Sequence, residues 1–102
     1  MHFLLFYDVA PDYLERRKVW RAEHLAYAQR SVARGELQLG GALANPPDGA
    51  VLFFEAASPQ VVEEFATGDP YVRNGVVTRW RVREWTTVIG PGAAAPIIPA
   101  GA

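Results

Sequence analysis

Cysteine is absent from the 102-residue chain, which excludes disulfides, thiolate metal sites and a thiol nucleophile. No apolar run approaches the ~20 residues that a membrane-spanning helix needs. An excess of either charge is also lacking. The formal net charge is -1 and the pI is near 6.1, so nothing favours a nucleic acid or an anionic membrane as partner. Only two histidines occur, and His2 has no ligand-spaced companion, so no metal site is expected. No Gly-x-Gly-x-x-Gly or Walker pattern is present, and no serine sits in a nucleophile-elbow context. The opening MHFLLFYDVA is apolar but has neither a basic leader nor a cleavable design, and it reads as a strand. Together these absences point to a cytoplasmic protein.

What is present suits one small globular domain. Half the residues are hydrophobic and 21% are charged, an ordinary folded composition. A chain of this length buries roughly two-thirds or less of its unfolded surface, so shared burial with a second copy would help it. Residues 2–9 carry Phe3, Leu5 and Tyr7 on one alternating set and Leu4 and Phe6 on the other, a strand covered on both sides. Pro11 opens a helical segment reaching about Arg34, with Gly35 as its C′ residue. Leu14, Lys18, Arg21, Leu25, Ala28 and Val32 share one face of it. Residues 36–44 form a second strand containing the Gly40–Gly41 pair, which suits close backbone approach or a bulge.

The turn chemistry of Asn45 to Gly49 leads into a strand over 50–57. Ser58 and Pro59 are an N-cap and N1 signal for a helix through about Thr67, with Val62, Phe65 and Ala66 inward and Gly68 ending it. Asp69-Pro70 repeats that signal. The last strand is expected over Val76 to Ile89, with Trp80 and Val82 on one face and Arg79, Arg81 and Arg83 on the other. That arginine row next to Glu84 reads as a solvated or dimer-edge face. Residues 90–102 lack periodicity and read as a flexible or draped Gly/Pro/Ala tail after a domain over 1–89. The β-α-β-β-α-β order is the ferredoxin-like α+β arrangement, an antiparallel four-stranded sheet with both helices on one face. The apolar opposite face predicts a second subunit packed sheet to sheet, a homodimeric α+β barrel.

Several stretches in this order resemble the YCII-related (YciI-like) proteins. They are Arg21-Ala-Glu-His24-Leu-Ala26, Gly35-Glu-Leu-Gln-Leu-Gly-Gly41, Phe54-Glu-Ala-Ala57 and Asp69-Pro-Tyr-Val-Arg-Asn-Gly-Val76, within about Met1 to Glu84. The resemblance implies a ferredoxin-like fold, usually dimeric, with a cleft holding a His and an Asp. One relative is a lyase-type enzyme that removes halide from a chlorinated hydroxyquinol, with the His–Asp pair as its proposed catalytic unit. The family is also similar in architecture to muconolactone isomerases and small cofactor-free monooxygenases.

Against that background His24 is the candidate general acid/base, since an imidazole exchanges protons near neutral pH. A lone helical His also serves as a structural or exposed residue. Asp69 would fix the tautomer of His24; as Asp before Pro it is equally an N-cap. Arg21 falls inside the apolar stripe. It either lines a cleft and orients an anionic or phenolic oxygen, or snorkels, or pairs with Glu55, Glu84 or Asp8. Tyr7 and Tyr71 supply phenolic donors to the cleft or are core aromatics with edge hydroxyls. Gly41 and Pro70 complete the candidate substrate contacts. The expected activity is a cofactor-independent lyase or isomerase acting on a small cyclic oxygenated substrate. The alternative is a non-catalytic module that binds a small molecule.

Overall fold

The structure is a computed structural model and describes residues 1–99 of the chain. It is α+β and ferredoxin-like, with strands β1 (His2–Val9), β2 (Leu37–Ala42), β3 (Gly49–Glu55) and β4 (Val77–Glu84). The helices are α1 (Tyr13–Ala33), α2 (Pro59–Gly68) and the single turn α3 (Pro70–Arg73). Sheet order is β2-β3-β1-β4, with every pair antiparallel. Three residues of β1, Phe3, Leu5 and Tyr7, face the helices together with Leu52 and Phe54 of β3, and all are buried. Val62, Phe65 and Ala66 of α2 close the core over them.

The opposite sheet face carries Leu4, Phe6, Val51 and Phe53, half-buried within a single chain, beside the exposed Arg79, Arg81 and Arg83. The Arg81 guanidinium lies 4.5 Å from the centroid of the Phe6 ring. Among the described residues no helix is long and apolar enough to cross a membrane.

Local departures from expectation have local causes. The last strand ends at Glu84 rather than Ile89, because Trp85 N–H bonds to His2 C=O and β1 offers no further partner. Beyond it Ala95 N–H and Ile97 N–H return to the carbonyls of Thr87 and Val88 at 3.0 Å each. The tail expected over 90–102 thus has backbone pairing in its first part, and 100–102 lie outside the described residues. Ser58 precedes α2 in extended conformation, but its hydroxyl makes no cap bond. The irregularity in β2 falls between Leu37 and Leu39, not at the glycine pair.

The inward face of α1 is also rotated from the expected stripe. Leu14, Leu25 and Val32 are exposed, and Tyr13, Ala28 and Ser31 are buried, with Trp20 and Tyr27 packed partly beneath the helix. Both sets have 3/4 spacing. The set with the larger aromatic area lies against the core, since burying rings removes more apolar surface from water.

Two hydrogen bonds help to hold α1 against its neighbours. Leu37 N–H donates to Ser31 Oγ at 3.2 Å, and Tyr27 OH donates to Phe65 C=O at 2.8 Å. The Tyr27 hydroxyl reaches that carbonyl over Gly68, where a Cβ would collide with it. Gly68→Ala is therefore expected to lower stability by about 1–3 kcal/mol through overpacking. Gly41→Ala, whose Cβ meets nothing within 4 Å, should change stability little. Urea midpoints of the two variants check the contrast.

Candidate active site

Asp69 sits where α2 ends and α3 begins, in extended backbone with Pro70 at the first helical position. Its side chain has no solvent exposure. Oδ1 accepts from the backbone N–H of Tyr71 at 2.9 Å and lies 2.7 Å from His24 Nδ1; Oδ2 accepts from Tyr7 OH at 2.7 Å. Cap and histidine partner are thus the same oxygen. The second oxygen takes its donor from β1. One carboxylate joins α1, α3 and the sheet.

His24 projects from the middle of α1, 15% exposed. Its ring lies parallel to Tyr71 at 3.8 Å between centroids and 2° between planes. A carboxylate acceptor at Oδ1 requires the proton on Nδ1, which leaves Nε2 of the neutral ring as the basic nitrogen. Nε2 has no hydrogen-bond partner among the described residues and is not fully buried. His24 lines a cavity of about 470 Å³ between α1, β2 and the sheet.

Tyr7, Arg21, His24, Gly41 and Tyr71 all line that cavity. Pro70 does not, and its place is the start of α3. Tyr7 differs from a free cleft donor because its hydroxyl is committed to Asp69. Burial first, then the charge and hydrogen bond of Asp69, push that phenol far above the ordinary tyrosine range. Burial also raises Tyr71, against the opposing pull of Arg21 and Arg17.

Arg21 is not the core-facing charge that the stripe implied. Rotation of α1 leaves it exposed on the cavity wall, and among the described residues no carboxylate, including Glu55, Glu84 and Asp8, pairs with it. Gly41 sits at the edge strand with open space where a Cβ would stand.

Tyr13 and Arg17 also line the cavity and were not singled out from sequence. Their signal was available: Tyr13, Arg17, Arg21, His24 and Ala28 form a second 3/4-spaced row on α1. Among the described residues no cluster of three His, Cys, Asp or Glu is placed to hold a metal ion.

The match to a family model, the YCII-related domain, spans residues 1–86. The chain belongs to the YCII family. Among solved structures it is similar to TftG, the 5-chloro-2-hydroxyhydroquinone dehydrochlorinase from Burkholderia phenoliruptrix AC1100, in complex with 2,5-dihydroxybenzoquinone. The identity is 28%, the TM-score 0.73, and the match covers 85% of this chain and 95% of that one. A NIPSNAP family protein from Agrobacterium tumefaciens str. C58 shares the fold at 14% identity and a TM-score of 0.54, over 85% of this chain and 91% of that one. No curated protein matches the chain significantly in sequence.

Removing the Tyr7 hydroxyl leaves a buried carboxylate oxygen without its donor. Tyr7→Phe should therefore cost about 1–3 kcal/mol at neutral pH. The unfolded phenol titrates near ~10 while the folded one resists ionisation, so its contribution is complete below about pH 10 and is lost as pH rises above it. Denaturation midpoints against pH should fall less steeply above pH ~10 in Tyr7→Phe than in the parent. The residual slope belongs to Tyr27 and Tyr71, which burial also raises.

Proposed function

We propose that this YCII-family protein is a cofactor-independent lyase or isomerase in which the His24–Asp69 pair moves a proton on a small cyclic oxygenated substrate. The observation that carries the reading is a cavity-lining histidine with one nitrogen held by a wholly buried carboxylate and the other without a partner among the described residues. Nε2 takes a proton from a ring carbon or hydroxyl of the substrate. The released electron pair either shifts a double bond or expels a leaving group. The imidazolium then returns its proton to another substrate atom in an isomerisation, or to solvent in an elimination.

Asp69 stabilises that imidazolium and holds the tautomer. Tyr7 and the Tyr71 N–H hold Asp69. Arg21 receives the substrate oxygen, and Gly41 leaves the edge of the cavity open. The similarity to a dehydrochlorinase supports an elimination over a purely structural use of the pair.

The same proposal includes a homodimer. The half-buried Leu4, Phe6, Val51 and Phe53 face supports sheet-to-sheet packing, with residues 90–102 as an appendage to a domain over 1–89. A cysteine-free composition fits a cytoplasmic setting.

Turnover of chlorinated hydroxyquinols and muconolactones is the test. His24→Ala should lower kcat by ~10²–10⁴-fold, the range of a lost general acid/base, with added imidazole restoring part of it. Undiminished turnover in His24→Ala removes the role assigned to it. Saturable binding without product in the parent chain favours the binding-module alternative.

A further inference from the structure

The α1 wall of the cavity carries two guanidinium groups, and among the described residues its lining holds no carboxylate. Two other cations on the same helix are matched, Arg16 Nε donating to Asp12 at 2.9 Å and Lys18 to Glu15 at 3.0 Å. Arg30, which is not part of the cavity lining, lies over the Tyr27 ring at 5.6 Å. Arg17 and Arg21 have no such ion pair among the described residues. They stand at i, i+4, where like charges repel and weaken a helix. Arg17 is also held in place. It lies over the Tyr13 ring at 5.1 Å and donates Nη1 to the Tyr13 hydroxyl at 3.2 Å, with most of its N–H donors still free. Tyr13 is buried, so this guanidinium is anchored at the cavity rather than swinging in solvent.

Paired cations without counter-charge in a largely apolar cavity suit an anion brought by the ligand. We propose that Arg17 and Arg21 form an acid-binding end of the cavity, so that the substrate is a cyclic compound bearing a carboxylate remote from the atom that meets His24. The direction of the ligand rests on the role proposed for His24; the acid-binding end does not. Along α1, Arg21 and Arg17 lie ~4.5 and ~10.5 Å from His24, at ~1.5 Å per residue. A cavity of ~150 Å³ already accepts a benzene ring, and this one measures about 470 Å³. A ring with an acid-terminated arm, or a second ring, fits that span.

Calorimetric titration of the full chain with hydroquinone, 2,5-dihydroxybenzoate and 2,5-dihydroxyphenylacetate tests this. At low salt at least one acid should bind about tenfold more tightly than hydroquinone, with the advantage shrinking as salt is added. Arg17→Gln and Arg21→Gln should each remove most of that advantage, weakening the acid more than hydroquinone. Equal affinity for acids and hydroquinone, saturable binding of none of the three, or equal weakening of all three in the variants overturns the proposal. In His24→Gln the acid preference should persist. A parent chain that prefers acids yet turns nothing over defeats the catalytic reading alone.

Discussion

A carboxylate removed from water must find its donors within the protein, or the chain bears the full cost of an unsolvated charge. Asp69 meets that demand with the first backbone N–H group available in α3, the hydroxyl of Tyr7 and the ring nitrogen of His24. Those partners come from three different elements. Their simultaneous approach fixes how α1 lies across the sheet, how α2 hands over to α3, and which side of His24 faces the cavity. Loss of any one donor leaves the other two holding a charge that the interior cannot hydrate. Stability and the geometry of the candidate site are tied to the same few atoms.

Much of the architecture was legible because its signals are local. Alternation in residues 2–9, the Gly35 stop and the Asp69-Pro70 start each act within a few residues, and the structure has an element boundary at or near each. The resemblance to the YCII family rested on short motifs in the right order, and the family match covers the same region. What was not legible depends on competition between distant groups. The Leu14–Leu25–Val32 stripe and the Tyr13–Trp20–Tyr27 row are equally periodic, and only the shape of the sheet decides which lies beneath the helix. That decision moved Arg21 from core to cavity wall and brought Arg17 beside it. The commitment of Tyr7 to Asp69 likewise depends on a contact between residues 62 positions apart in the chain.

The site occupies the helix-bearing side of the sheet, along α1 and the short edge strand β2. This division of labour explains why strand β1 is apolar on both faces: Phe3, Leu5 and Tyr7 build the core and support the site, and Leu4 and Phe6 serve the opposite surface. Substitutions on the two faces of one strand are therefore separable in their effects, although the residues are neighbours in sequence.

The parallel stack of Tyr71 on His24 constrains more than position. Flipping the ring, which would put carbons where the two nitrogens now stand, requires the imidazole to pass through an orientation perpendicular to its present plane. A phenol face 3.8 Å away leaves no room for that passage, and the bond to Asp69 opposes leaving the start. The ring is therefore held in one orientation, and Nε2 keeps one position. A proton both taken and returned by Nε2 would then be exchanged on a single face of a molecule that does not turn while bound.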